Sequence, residues 1–353
     1  MKAGFSLVEM TIALAIVLVV TGAIFAVMNP AYGAFHSQPE AIDMQQRLRV
    51  SVEAIANDLT MAGAGTGKYF PAVLPIRRGP IAGDSTTAFF NDRASLLYAP
   101  VDAGQTTLAM PTDAGTMLYV ASTNGFVPNV LVVVFDETGA YDTLRVTAIQ
   151  DAPPALVHPG GALSKTYAIG ANVARVVSAT YWLRADTASG ASELMRYDGW
   201  QSDMPVSDDV TGLAFEYFGD PSPPVLRKAL DESDGPWTSY GPKPPEIDVD
   251  DPSTLVYGAG ENCTFAVIDG STVSRPEMIN LGSSSLVRLT ASQLTDGPWC
   301  PDPADSRRYD ADLLRIRRVR ITLRVRASRT FFHPLPDRQS IFDVTPRNLS
   351  LEQ

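Results

Sequence analysis

The most unusual reactive group in the sequence is the carboxylate of Glu9, at the start of an uncharged apolar run from Met10 to Met28. A carboxylate deep in a bilayer costs about 2.5–3.5 kcal/mol on insertion scales, so it requires a partner. Cleavage between Gly4 and Phe5 would supply one, because the new α-amino group would lie one helical turn from the Glu9 side chain. In an assembly, the free amine of a neighbouring chain could take that place.

Other side chains with catalytic potential form no recognisable constellation. His36, His158 and His333 are scattered among loop-type residues. There is no Gly-x-Ser-x-Gly elbow, and the glycine-rich residues 63–68 have neither the glycine spacing nor the preceding strand of a phosphate loop. The sequence therefore predicts a protein that is not an enzyme.

Two helices are predicted at the N-terminus. The apolar run is roughly 28 Å long as a helix, which is enough to cross a bilayer once. Pro30 then removes a helical hydrogen bond, so a kink or local melting is expected at residues 29–33. A second, amphipathic helix is predicted from near Pro39 to the glycines at 63 and 65. Apolar residues recur along it with the helical period and predict a face that packs on a sheet: Met44, Leu48, Val52, Ile55 and Leu59.

The order Gly4-Phe5-Ser6-Leu7-Val8-Glu9 before an apolar helix resembles the class III leader of type IV pilins and of type II secretion pseudopilins. The resemblance implies that a prepilin peptidase cuts after Gly4, that Phe5 becomes the N-methylated terminus, and that Glu9 is the assembly glutamate. A signal anchor, or a secretory signal peptide cut poorly near Ala31-Tyr32-Gly33, would leave Glu9 unexplained.

Further stretches are similar to PilW-type minor pilins. The second helix has Arg47-Leu48-Arg49 near its start and Asp58-Leu59 before Ala62-Gly63 at its end, although Thr60 stands where that family tends to have Arg. Strand-like patterns shared with PilW-type pilins or J-type pseudopilins, and a similar C-terminus, lie in Leu194–Gly199, Val210–Tyr217 and Phe342–Leu349. These positions imply a common fold and not a site.

Beyond residue 65 the sequence predicts a β-rich head, because Gly and Pro separate short apolar runs. Turns or hairpins are predicted at residues 136–139 and 187–190. The predicted strands are Ser95–Ala99, Met117–Ala121, Val130–Phe135, Leu144–Ile149, Asn172–Arg184, Glu193–Tyr197, Val210–Phe218 and Leu313–Arg326.

Residues 219–301 are predicted to be an acidic, proline-rich insertion without continuous strands. Asp248, Asp250 and Asp251 faintly resemble a calcium loop, but without a spaced glycine and a closing acid we expect a solvated loop and no cofactor. If the leader resemblance holds, Cys263 and Cys300 lie outside the membrane, where a disulfide is expected. Closing this loop would stabilise the fold by roughly 4 kcal/mol in the chain-entropy model. Neither cysteine has a second Cys or His nearby at metal-ligand spacing.

The last predicted strand carries arginines on one face. The adjacent Arg317 and Arg318 break its alternation after Ile316 and predict a bulge. We interpret the arginine face as pairing across strands and with the acidic loop, the alternative being a docking face for another subunit or for DNA. The net charge of −11 implies no general affinity for nucleic acid.

The overall expectation is an α+β, type IV pilin-like protein. Residues 1–4 would be the leader, 5–30 the transmembrane and assembly helix, 31–63 the amphipathic helix and 64–353 a periplasmic head. The resemblance implies a minor pilin that waits in the bacterial inner membrane, joins a type IV pilus and primes assembly at its tip. Its partners would be other major and minor pilins, the prepilin peptidase and the inner-membrane assembly platform. A J-type type II secretion pseudopilin and a membrane-anchored adhesin are the alternatives.

Overall fold

The computed structural model describes residues 6–67, 70–75, 90–112, 115–137, 141–159, 163, 166–185, 192–199, 202–221, 225–226, 265–268, 271–274, 278–279, 285–294, 299–301, 308–328 and 335–349. Only the backbone is described for residues 29–37 and for several short strands between 225 and 311. These residues form one long helix and an antiparallel β body, which together make an α+β fold.

Helix α1 spans Leu7–Met61, a length of 55 residues. It ends where Gly63 adopts a φ of +80°, a conformation that residues with a side chain rarely take. The helix passes through residues 29–33 without interruption, so the predictions of local melting there and of a separate helix from Pro39 are wrong. A proline in the interior removes one hydrogen bond, and the cooperative turns on either side keep the helix continuous.

Three of the described strands have ten or more residues, and the others are shorter. In chain order they are β1 (Val73–Leu74), β2 (Ala94–Tyr98), β3 (Gln105–Thr107), β4 (Met117–Tyr119), β5 (Leu131–Phe135), β6 (Tyr141–Arg145), β7 (Ala148–Asp151), β8 (Pro154–Val157), β9 (Asn172–Ala185), β10 (Ser192–Tyr197), β11 (Asp203–Asp208), β12 (Val210–Gly219), β13 (Val225–Leu226), β14 (Phe265–Ile268), β15 (Ser271–Ser274), β16 (Met278–Ile279), β17 (Val287–Leu289), β18 (Trp299–Pro301), β19 (Arg308–Asp310), β20 (Ile316–Val325) and β21 (Arg338–Val344). Two 3₁₀ turns, Ala311–Arg315 and Arg347–Leu349, flank the last two strands.

The first sheet is built around β9. Its path runs β1-β2-β9-β10-β11, and β3, β5 and β6 extend it beside the first half of β9. The β9–β10 pair is antiparallel with Ala185 opposite Ser192, and the β5–β6 pair has Phe135 opposite Tyr141. The strand pairing predicted on either side of both turns is thereby confirmed, whereas residues 138–140 and 186–191 of the turns lie outside the described residues. Strands β4, β8 and β7 form a small separate sheet.

The second sheet has the order β17-β12-β20-β21 and is antiparallel throughout. Along β20, buried and partly exposed residues alternate, as the strand period requires. The register against β12 shifts between Phe218 and Gly219, whose partners are Arg318 and Ile316. Arg317 is therefore the extra residue, and the predicted bulge is confirmed.

The second half of α1 packs into the main core. Met44, Ile55 and Leu59 are fully buried together with inward-facing residues of both sheets, such as Leu96 and Ile321. A smaller core lies under the small sheet. The apolar stripe predicted for this part of the helix therefore does pack on β-sheet.

Several predicted strands need correction. The run Leu144–Ile149 belongs to two strands, β6 and β7, and Leu313–Arg315 forms part of a 3₁₀ turn before β20. Strand β17, inside the predicted insertion, joins the second sheet, and β21 was not predicted at all. Strand β17 depends on pairing with β12, about 70 positions earlier in the chain, which the local sequence pattern does not report. Strand β21 pairs with the preceding strand, but it begins with three polar residues that show no strand pattern.

Candidate functional site

Helix α1 begins with a reciprocal cap formed by Ser6 and Glu9. The Glu9 carboxylate accepts a hydrogen bond from the Ser6 backbone N–H through Oε2 at 2.9 Å, and the Ser6 hydroxyl accepts one from the Glu9 N–H at 3.2 Å. This capping box satisfies two N–H groups that have no partner within the helix. The negative charge of Glu9 also lies next to the positive end of the helix dipole, which is a stabilising arrangement. Glu9 therefore has a local structural role. Gly4 and Phe5 lie outside the described residues.

The segment after the cap is apolar and covered by no other described part of the chain. Leu7–Met28 has a mean hydropathy of 2.7 over 22 residues, and none of it is buried. It is long and apolar enough to cross a membrane, although an N-terminal signal sequence meets the same criteria. Glu9 therefore lies near the N-terminal end of a candidate membrane-spanning helix.

Asp58 joins the packed half of α1 to the first sheet. Its Oδ1 accepts a hydrogen bond from the Tyr98 hydroxyl at 2.8 Å, and its Oδ2 accepts one from Arg196 Nε at 2.7 Å. The Tyr181 hydroxyl lies 2.7 Å from Oδ2 and 3.0 Å from the carbonyl oxygen of Ala54. Because these partners come from β2, β9 and β10, three adjacent strands meet at one carboxylate. We call this set the Asp58 junction.

The electrostatics of the Asp58 junction favour a fixed arrangement over proton transfer. Burial raises the pKa of Tyr98 and Tyr181 well above the ordinary tyrosine value, and the Asp58 charge and hydrogen bonds add to the rise. Burial alone would lower the pKa of Arg196, but the hydrogen bond to Asp58 and its charge raise it overall. Both hydroxyls therefore stay protonated as donors, and the guanidinium stays charged.

Glu40 and Arg47 form a second junction, between α1 and the second sheet. Arg47 lies 3.6 Å from Glu40 and 3.5 Å from Asp209, the residue between β11 and β12. The buried Glu40 accepts a hydrogen bond from the Ser328 N–H at 2.7 Å, and the Ser328 hydroxyl donates to Asp209. We call this set the Glu40 junction.

The sequence pattern assigns no contact to Arg47 or Asp58, which it gives only as positions of the family resemblance. One signal was available for Asp58, because it lies three residues after Ile55 and next to Leu59, both buried against the sheets. A carboxylate at the edge of a buried helical stripe needs a donor from the surface on which that stripe packs.

The arginine face of β20 pairs with its neighbouring strands. Arg320 donates to both carboxylate oxygens of Asp343 on β21, at 2.7 and 3.0 Å. The guanidinium groups of Arg318 and Arg320 lie 4.6 and 5.2 Å from the centre of the Phe218 ring. Cross-strand pairing is therefore confirmed. The acidic run expected to contribute, residues 231–251, lies outside the described residues.

A buried polar cluster lies where the chain leaves β12. The Arg315 side chain is almost wholly buried and donates to the carbonyl oxygens of Asp220 and Pro221, at 2.8 and 2.9 Å, and to Asp312 at 3.2 Å. Arg317 lies 3.1 Å from the carboxylate of Asp220. These bonds hold the first residues of the predicted insertion against the 3₁₀ turn and the start of β20.

The structure describes only some of the remaining predicted site residues. Cys300 lies in β18, opposite Tyr309, whereas Cys263 lies outside the described residues, so the disulfide stays a prediction. Asp248, Asp250 and Asp251 also lie outside them. In the described part of the chain, no group of three or more His, Cys, Asp or Glu residues could hold a metal ion.

Comparison of the chain with protein-family models, with curated proteins and with solved structures found no match. The class of protein therefore rests on its own architecture. The chain is an α+β protein with one candidate membrane-spanning helix at the N-terminus and an antiparallel β-rich body. The second half of the same helix is built into that body through a core and two polar junctions.

Proposed function

We propose that the chain is a minor pilin, cleaved after Gly4, N-methylated on Phe5 and incorporated into a type IV pilus, where it primes assembly at the tip. The observation that carries this proposal is the layout of α1. Glu9 caps the start of a bare apolar segment, and the same continuous helix ends inside the core of the body. The leader residues 1–9 resemble those of type IV pilins, which supports the same conclusion.

The uncovered apolar segment Leu7–Met28 suits a helix that moves from contact with lipid to contact with other helices. Its apolar side chains lose little when they move from a bilayer to a bundle of similar helices, because both surroundings are apolar. The protein can then wait in the inner membrane with its head in the periplasm and later join a fibre with other pilins.

Glu9 provides the specific contact in this assembly. Cleavage after Gly4 leaves the Ser6 N–H as an amide, so the cap can persist in the mature chain. Oε1 of Glu9 makes no hydrogen bond with a described residue and is free to accept one from an α-amino group. A charge pair in a dry bundle is costly to break, and it therefore fixes the register of neighbouring helices.

The mature N-terminus is the decisive measurement. The full chain should be expressed with and without a prepilin peptidase and its N-terminal peptide identified by mass spectrometry. N-methylated Phe5 that appears only with the peptidase is the expected result. An N-terminus at Met1 in both samples, or one near Ala34, would reject the proposal and favour an anchored or secreted protein.

Fibre location then separates a pilin from a type II secretion pseudopilin. An epitope-tagged chain should be found in pili sheared from the cell surface, at far fewer copies than the major pilin. If processed protein stays with the cell envelope while pili are made normally, the pseudopilin alternative is the correct one.

A further inference from the structure

An open groove runs between α1 and the start of β21. It has a volume of about 480 Å³ and is lined by helix residues Gln45, Leu48, Arg49 and Val52 and by strand residues Arg338, Gln339 and Ser340. Leu48 and Val52 are partly buried against the main core, so the floor of the groove is apolar. Its rim carries two guanidinium groups, two amides and a hydroxyl. Among the described residues, no acidic side chain lines it.

One wall of the groove is an edge of the second sheet that has no strand partner among the described residues. Strand β21 pairs with β20 over seven consecutive residue pairs without a register shift, and on its other side no described strand pairs with it. Its segment Arg338–Val344 contains no proline, and its central Ile341 is 58% exposed. Natural edge strands are usually protected by bulges, prolines, short length or charged side chains. This strand has neither a bulge nor a proline, and its charged residues are Arg338 and Asp343, the latter paired with Arg320 on β20.

The two faces of β21 differ in chemistry. Arg338 and Ser340 lie opposite the buried Val325 and Leu323, so they are on the face that meets α1. Ile341 lies opposite Thr322 on the outer face. A strand added beside β21 would place alternate side chains on these two faces.

Charge identifies the kind of strand that fits. Arg49 is paired with Glu53 at 2.8 Å, but Arg338 forms no ion pair or hydrogen bond with a described residue. The groove thus has one guanidinium, that of Arg338, without an ionic partner among the described residues, on a chain whose net charge is −11. Carboxylates on the groove side would meet Arg338 and Arg49, and an apolar residue on the other side would cover Ile341.

We propose that the free edge of β21 is a docking site for an extended segment of a partner protein, which adds to the second sheet as a strand. The segment carries carboxylates on the side that faces α1 and apolar residues on the opposite side. Backbone hydrogen bonds to β21 supply affinity, and the arginines select for acidic side chains. This inference does not depend on the pilin proposal, because it uses only the body and the packed half of the helix.

The test uses the full chain in detergent micelles and a fluorescein-labelled peptide of about eight residues in which Glu and Val alternate. Fluorescence polarisation should show saturable binding, and hydrogen exchange should show slower exchange of amides in residues 338–344 when the peptide is bound. Arg338→Gln should weaken binding about tenfold, as expected for loss of a charge-assisted contact. Arg338→Glu should abolish it.

The matched control is Arg288→Gln, which removes an arginine from β17 at the opposite edge of the same sheet, and it should change binding less than about twofold. A peptide with Lys in place of Glu, and one with a central proline, should not bind. Equal binding of either peptide, or no effect of Arg338→Glu, would overturn the proposal. Two further results would overturn the proposal if the Glu–Val peptide fails to bind. One is binding of a single-stranded DNA oligonucleotide that depends on Arg338, and the other is self-association of the chain that depends on Arg338.

Discussion

Replacing Asp58 by alanine tests whether the Asp58 junction holds the helix to the body. The change leaves Tyr98, Tyr181 and Arg196 without their shared acceptor. Hydrogen bonds to a charged group contribute about 1.5–3 kcal/mol each, and leaving one member of a buried ion pair alone costs about 3–5 kcal/mol. The side chains of Arg196 and Asp58 are 23% and 13% exposed to solvent, so water can partly replace the lost contacts. We therefore expect a loss of about 3 kcal/mol, the lower end of that range.

The assay is thermal unfolding of the full chain in detergent, followed by tryptophan fluorescence, since Trp182 is buried in β9 beside Tyr181. For a chain of 353 residues, a loss of this size should lower Tm by about 4 °C. Glu53→Ala is the matched control. Glu53 lies on the same helix, but its pair with Arg49 is exposed, and such pairs contribute about 0.3–0.5 kcal/mol. Equal Tm shifts for the two variants would refute the structural importance of the Asp58 junction.

The remaining predictions concern pH, assembly and the cysteines. Because burial and Asp58 raise the pKa of Tyr98 and Tyr181 in the folded chain, the stability that they provide is complete below the unfolded pKa of about 10 and is lost as the pH rises above it. A Tyr98→Phe/Tyr181→Phe variant should therefore lose Tm less steeply than the parent between about pH 9.5 and pH 11, and equal slopes would contradict this account. Glu9→Ala should leave membrane insertion and cleavage intact but reduce the amount of the chain in sheared pili; normal incorporation would disprove its assembly role. The unreduced chain should be about 2 Da lighter than the reduced chain by intact-mass spectrometry, as a Cys263–Cys300 bridge requires, whereas equal masses would indicate free thiols.

The features that the sequence could predict are those with a strong local period. Met44, Leu48, Ile55 and Leu59 repeat at the helical spacing, and the structure places them against the sheets. Val319, Ile321, Leu323 and Val325 alternate and are buried along β20, and two adjacent arginines disturb that alternation at the bulge. In each case one surface of a single element determines the pattern, so the sequence of that element was sufficient.

The features that the sequence could not predict depend on partners distant along the chain. Asp58 meets Arg196 across 138 positions, and Glu40 meets Ser328 across 288. Neither partner is marked by a local pattern, because an Arg on a strand and a backbone N–H occur in many places. Strand β21 was missed for a different reason: its partner β20 is the preceding strand, but its first three residues are polar and show no apolar alternation.

The two junctions together determine how the helix can act on the body. Glu40 and Asp58 are about five helical turns apart, which is roughly 27 Å along the axis. One attachment would leave a pivot, but two attachments to different sheets, with buried apolar contacts between them, fix the direction of α1 relative to both sheets. A helix without a break at residues 29–33 then carries this direction into the apolar half. The orientation of the body relative to the candidate membrane span is therefore set by the packed core together with the Asp58 and Glu40 junctions. Because the two junctions are far apart and share no partner, the losses of Tm caused by Asp58→Ala and Glu40→Ala should add in the double variant.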